Sequence, residues 1–181
     1  MVYRVSHSIG STCVPWISLV VDLRSVTIVS GGQTGVDRAA LDFAIEHNIP
    51  HDGWCPRGRL AEDGPLDECY QLRETPSRKY AQRTKWNVRD SDATVVFSAA
   101  RQVQSGTALT IELAERLGKP WLHLARENFA AGEVTADAAA RLLAFLAEHD
   151  VRRLNVAGPR ASQEPDIAAF VRSVLRAALD L

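Results

Sequence analysis

A chain of 181 residues is long enough to bury one full core and too short for two ordinary domains. Its apolar content of 46% and charged content of 24% are those of a globular protein, and a net charge of −1 argues against general nucleic-acid binding. Cys13, Cys55 and Cys69 are odd in number and lack C-x-x-C spacing, so no disulfide framework is expected and a reducing cytoplasm fits best.

Residues 1–24 read as an extension. Cys13 to Val21 is apolar and follows Arg4, but it contains Pro15, lacks a small-residue cleavage site and is too short to cross a bilayer. The β-branched run from Val26 to Val29 then ends in Ser30-Gly31-Gly32, and an amphipathic helix opens directly after it. Thr34 followed by Asp37 has the spacing of a capping box. Within this first helix, Val36, Ala40, Phe43 and His47 share one face, with Arg38, Asp42 and Glu46 on the other.

The segment from Pro50 to Thr75 is rich in Gly, Pro and charge and is expected to be a long loop, either functional or disordered. Ser77 can cap a helix running to about Val88, on which Tyr80, Thr84 and Asn87 share a face and Arg83 adjoins it. Thr94 to Phe97 is a short buried strand. Ser105-Gly106-Thr107 opens a helix carrying Leu109, Leu113 and Leu117, which Gly118 and Pro120 end. Trp121 to Leu124 is a strand, Ala136 to His149 a helix and Arg153 to Ala157 the last strand. After Pro165 a terminal helix turns Ile167, Phe170, Val171, Val174 and Ala178 inward. Strands alternating with helices predict a single α/β domain over residues 25–181: a Rossmann-like, doubly wound, mainly parallel sheet with helices on both faces.

Three strand ends lead into glycine-bearing loops: Gly31-Gly32-Gln33-Thr34, Ser105-Gly106-Thr107 and Gly158-Pro159-Arg160. In a parallel sheet every strand ends at the same edge, where ligands bind, so the three loops can converge on one anionic ligand. Glycine is also common in such loops for purely geometric reasons. The cations that suit such a ligand are Arg57, Arg59, Arg83 and Arg160. Other charges in the run Arg73, Arg78, Lys79, Lys85 and Arg89 read as a solvated face. Glu62 and Asp63 can do acid–base work, hold a cation, accept from ligand N–H groups, or orient Arg57 or Arg59. Trp54 and Tyr80 can stack on a ring or simply pack in the core. His51, Cys55 and Cys69 match no common zinc spacing, and no protein metal site is expected.

The spelling G-G-Q-T-G-V-D-R-A-A-L-D from Gly31, then G-W-x-P-x-G-R-x-A-E-D-G from Gly53 to Gly64, resembles the molybdenum cofactor carrier family. The likeness continues through Tyr80, Arg83-Thr84, Asn87-Val88, Ser91-Asp92-x-Thr94, Ser105-Gly106-Thr107 and Leu154-Asn155-Val156-Ala157-Gly158-Pro159-Arg160, covering about Val26 to the end. The resemblance implies a Rossmann-like fold and a non-catalytic carrier of molybdenum cofactor (molybdopterin), the metal arriving already bound to its phosphorylated pterin. It implies ligand contacts from Gly31, Gly32, Gln33, Thr34, Arg57, Arg59, Glu62, Asp63, Arg83, Asn87, Ser105, Gly106, Thr107, Asn155, Gly158 and Arg160. It further implies a homo-oligomer, with molybdoenzymes or cofactor-insertion proteins as partners and neither nucleic acid nor membrane among them.

The alternatives are a nucleotide-sensing module or a nucleoside monophosphate phosphoribohydrolase like the related cytokinin-activating enzymes. Those enzymes spell P-G-G-x-G-T-x-x-E, with the glutamate assisting N-glycosidic cleavage. Here Thr110 stands in the glutamate's place and Glu112 lies two residues on. The carrier pattern has paired glycines before its threonine, whereas this chain has Ser105 first.

Overall fold

The computed structural model describes residues 22–130 and 133–180. The expectation for residues 1–21 lies outside them. Five parallel strands form the main sheet: β1 (Thr27–Val29), β2 (His51–Asp52), β7 (Ala93–Ser98), β8 (Trp121–Ala125) and β9 (Arg153–Ala157). Between β2 and β7 run four two-residue strands, β3 (Trp54–Cys55), β4 (Leu60–Ala61), β5 (Gly64–Pro65) and β6 (Arg73–Glu74). The sheet order is β2-β1-β9-β7-β8, with Ile28 opposite both His51 and Leu154, and Val95 opposite both Leu122 and Val156. The fold is Rossmann-like α/β, as the alternation predicts.

Five helices cover the sheet: α1 (Val36–Glu46), α2 (Tyr80–Arg89), α3 (Ser105–Arg116), α4 (Val134–Glu148) and α5 (Ile167–Asp180). Contacts between α1 and α5 and between α5 and α4 make one layer, while α2 packs on α3 in the other. The strand period of two decides which side chains meet which layer. Ile28, Val95, Phe97, Leu124, Leu154 and Val156 enter the main core with Phe43, Leu142, Phe170 and Val174, and Leu23 ahead of β1 is buried there too. A smaller apolar cluster of Val88, Leu113 and Ala114 lies in the α2–α3 layer.

Two local expectations need correction. Thr34 does not cap α1: its N-cap is Gly35, and Asp37 reaches back to the Gln33 N–H at 3.3 Å while the Thr34 hydroxyl is engaged elsewhere. Nor is Ser77 the cap of α2, which begins one residue after Lys79; the Ser77 hydroxyl accepts from the Lys79 N–H at 3.0 Å. The Pro50–Thr75 segment is also more ordered than an open loop. It supplies the edge strand β2, the parallel pair β3–β6, and a β4–β5 hairpin whose two-residue turn is Glu62-Asp63.

Asn87 fastens that segment to α2. Its Oδ1 accepts from the Trp54 N–H at 2.7 Å and its Nδ2 donates to the Trp54 carbonyl at 3.0 Å. The Trp54 indole donates to Asp90 at 2.7 Å and packs edge-on against Trp86. Hydrogen bonds from Arg89 and Trp54 hold the Asp90 carboxyl down at about 2, outweighing its partial burial. Replacing Asn87 with alanine leaves a part-buried peptide donor and acceptor unmatched, each costing up to about 1–3 kcal/mol. N87A is therefore expected to unfold at clearly lower urea than the parent protein, as followed by circular dichroism.

Candidate functional site

Because all main strands are parallel, Gly31, Gly106 and Gly158 stand on loops or helix starts that follow the carboxyl ends of β1, β7 and β9. A crevice at this edge is lined by Tyr80, Arg83 and Thr84 of α2, Ser105, Gly106, Thr107 and Thr110 of α3, and Gly158, Arg160 and Gln163 beyond β9. The space it encloses is about 80 Å³, opening to solvent at its mouth. The first turn of α3 borders it, where the Ser105 and Gly106 N–H groups precede the helix's own hydrogen bonds, next to two guanidinium groups, and this combination suits an oxyanion.

One wall is set by a buried ion pair. Arg83 Nη1 meets Asp37 Oδ2 at 2.9 Å, with only 14% and 2% of their side chains exposed. Burial pushes the Asp37 carboxyl up, against the pull of Arg83 and of the Gln33 and Gly31 N–H groups. The guanidinium lies against Gly31, where an added Cβ would sit 2.0 Å from Nη1. Glycine at position 31 thus makes room for the cation. Arg83 Nε is buried without a partner, as is Gln33 Nε2.

The other wall has two unusual features. Ser105 adopts φ of 51°, in the left-handed region, at the position where the carrier pattern has glycine. Gly106 has no such backbone demand, and a Cβ built on it meets nothing within 4 Å. Neither conformation nor packing requires glycine there; open space above α3 is what its missing side chain leaves. At Gly158, by contrast, an added Cβ would press on the Phe97 carbonyl at 2.4 Å, so that glycine serves the close passage of β9 past β7.

The remaining candidate residues divide by what holds them. Gln33, Thr34 and Glu62 form a network beside the crevice: Gln33 Oε1 accepts from the N–H groups of Thr34 and Glu62 at 3.1 and 2.8 Å. Glu62 Oε1 accepts from the Thr34 hydroxyl and from the Ser162 N–H at 3.2 Å. Its Oε2 accepts from the Ser162 hydroxyl at 2.7 Å and lies 3.7 Å from Arg160 Nη1. Despite some desolvation, these donors keep the Glu62 carboxyl below its ordinary range. Asp63 pairs with Arg38 at 3.1 Å, and Gly32 packs against Leu66 and Leu72.

Four residues are placed away from the crevice. Arg57 lines a separate, open concavity with Gly58, Glu74 and Arg78. Arg59 spends its guanidinium on the carbonyls of Leu66, Asp67, Tyr70 and Leu72, pinning the segment that follows β5. Asn87 is the Trp54 clamp. Asn155 is buried between strands, donating to the Thr94 hydroxyl at 3.2 Å. Trp54 is likewise used internally, with Arg73 stacked over its ring at 4.2 Å. Conversely, Tyr80, Thr84, Thr110 and Gln163 line the crevice. Tyr80 and Thr84 were visible as an i, i+4 polar pair flanking Arg83. Gln163 sits in a turn after Arg160 and carries no sequence signal.

No group of three or more His, Cys, Asp or Glu able to hold a metal occurs among the described residues, and no described helix is long and apolar enough to cross a membrane.

Two expectations follow. Arg83→Gln should cost about 3–5 kcal/mol in denaturant unfolding, because it strands a buried carboxylate. The double variant with Asp37→Asn should recover part of that loss, since the stranded charge is gone. Ser105→Gly should stabilise the protein by about 1 kcal/mol by removing the left-handed penalty of a side chain.

No curated protein matches the chain. A crystal structure from Syntrophus aciditrophicus SB, named "Putative molybdenum carrier protein", superposes with a TM-score of 0.81 at 44% sequence identity. That match covers 86% of this chain and 96% of the other. The profile of the circularly permuted YpsA SLOG family matches residues 28–179, from the first core residue of β1 to the last turn of α5. The chain belongs to the circularly permuted YpsA SLOG family.

Proposed function

We propose that this protein binds a phosphorylated pterin of the molybdenum cofactor type in the crevice at the carboxyl edge of the sheet, and carries it without turning it over. The observation that carries the reading is the free space above Gly106, beside the N–H groups of α3 and between Arg83 and Arg160. A phosphate can approach that helix start closely, as the missing side chain allows. Tyr80 borders the same space and offers a ring face for a heteroaromatic system, with Arg160 5.7 Å from its centroid. The name of the Syntrophus relative, a molybdenum carrier, supports a molybdenum-bearing cargo.

The absence of turnover rests on Thr110. Its hydroxyl donates to the Gly106 carbonyl at 2.9 Å within α3, and it has no acid–base capacity near neutrality. Glu112 is exposed and does not line the crevice. Glycosidic cleavage needs a carboxylate at the reacting carbon, and the crevice lining contains none.

Native mass spectrometry of protein purified from a cofactor-producing host tests this. A retained pterin phosphate is expected, and Gly106→Val should abolish it while leaving the unfolding midpoint near that of the parent. Arg160→Ala should weaken retention about 10–100-fold, the worth of one charge-assisted hydrogen bond. Release of ribose 5-phosphate from AMP, with no pterin retained, would overturn the proposal in favour of a hydrolase.

A further inference from the structure

The turn of the β4–β5 hairpin places one carboxylate among donors of a kind that normally meet a free oxyanion. Glu62 receives the Thr34 hydroxyl, the Ser162 hydroxyl at 2.7 Å and the Ser162 N–H at 3.2 Å, with Arg160 Nη1 at 3.7 Å. These donors come from two different loops, β1–α1 and β9–α5. The Ala161 N–H in turn donates to the Thr34 hydroxyl at 3.1 Å, which orients that hydroxyl's own proton toward Glu62. Two hydroxyls, a backbone N–H and a guanidinium around one point form an oxyanion cradle; a carboxylate offers it only two oxygens, where a phosphate group offers more.

We infer that this cradle is an anion subsite in its own right, occupied by the Glu62 carboxylate as an internal stand-in, which a phosphate or similar tetrahedral oxyanion displaces. Displacement is confined to a short element. The hairpin strands are two residues each, and only Ala61 of them packs against the Leu41–Cys55–Leu66–Leu72 cluster. Its tip is otherwise held by the Glu62 N–H on Gln33 and by the Arg38–Asp63 pair, whose Asp63 side chain is 51% exposed. That pair is bidentate, Arg38 Nη1 and Nη2 meeting Asp63 Oδ2 and Oδ1 at 3.2 and 3.1 Å, so it anchors Asp63 while the neighbouring Glu62 side chain leaves its seat. The base of the hairpin is fixed by the Leu66 N–H on the Arg59 carbonyl at 2.7 Å and by the Arg59 guanidinium, so the movement is confined to the Glu62-Asp63 turn.

The consequence is specific to Arg160, which lines the crevice and also faces the cradle. While Glu62 is seated, part of that cation's field is neutralised; when an oxyanion takes the seat, negative charge is retained but Glu62 is freed. The inference extends the crevice reading to a second anionic group, which is either a free oxyanion or the far end of a ligand already in the crevice. It does not depend on that ligand being a pterin.

Isothermal titration with inorganic phosphate, and separately with AMP, is the test. Glu62→Gln keeps the shape and removes the competing charge, and it should tighten phosphate binding at least tenfold. Adding Ser162→Ala should remove most of that gain. Adding Gly106→Val, which fills the crevice, should leave it in place. Tightening for AMP that Gly106→Val abolishes identifies the cradle as the far end of a crevice ligand; tightening for phosphate that survives it identifies a free oxyanion. Phosphate binding by Glu62→Gln no tighter than by the parent, or a gain indifferent to Ser162→Ala, overturns the inference while leaving the crevice reading standing. Loss of AMP and pterin binding on Gly106→Val alone concerns only the crevice. A check that needs no variant is hydrogen exchange of the parent protein at saturating phosphate. The Glu62 amide, bonded to Gln33, should lose protection while α1 keeps its own; unchanged protection at Glu62 would equally overturn the inference.

Discussion

The contact on which the ligand edge depends is the ion pair between Asp37 and Arg83. Asp37 lies in the first turn of α1, on one face of the sheet, and Arg83 lies on α2, in the opposite layer. The pair passes across the end of β1 over Gly31, the one place where no side chain obstructs it. Both charges are almost wholly withdrawn from water, a state tolerable only with close pairing and added hydrogen bonds. Asp37 has those bonds from the Gln33 and Gly31 N–H groups. The β1–α1 loop is therefore shaped around the carboxylate, and α2 is held where Tyr80 and Thr84 face α3. Arg83 Nε, left without a protein partner, is the part of this arrangement that a ligand could still satisfy.

Layer order and core were legible in the sequence because they follow from periodicity. Ile167, Phe170, Val171, Val174 and Ala178 recur at helical spacing and are all buried, and β7 carries the buried apolar run Val95-Val96-Phe97. The edge strand β2 was not legible. It consists of His51 and Asp52, two polar half-buried residues whose strand character comes wholly from pairing with β1. Local propensity contributes nothing there; tertiary hydrogen bonds decide.

The candidate site was legible as three loops at one sheet edge but not as a list of side chains. Gly31, Ser105, Gly106, Thr107, Gly158 and Arg160 are positioned by backbone topology, which a strand–loop–helix pattern reveals. Arg57, Arg59, Asn87 and Asn155 belong to equally specific spellings, yet three of them serve the scaffold: Arg59 gathers four carbonyls, Asn87 mimics a strand partner for Trp54, and Asn155 bridges to Thr94. A motif registers that a residue type is needed without registering what needs it. A buried amide satisfying backbone groups is needed as strictly as one that touches a ligand.

Ser105 and Glu62 bear on the same question from opposite sides. Ser105 holds a left-handed conformation that its own side chain disfavours, so some fraction of folding free energy is stored at the mouth of the crevice. Glu62 places an anion where the loops converge, and so relieves repulsion among donors that would otherwise face one another unpaired. One feature keeps the α3 entrance in a shape the isolated chain would not choose; the other keeps the neighbouring donors preorganised by filling them. An incoming oxyanion then meets donors already aimed, and the reorganisation it requires falls on a short hairpin rather than on the sheet. Preorganisation of this sort shifts the cost of binding from ordering the site to evicting one carboxylate, a cost set by a single side chain and its reach.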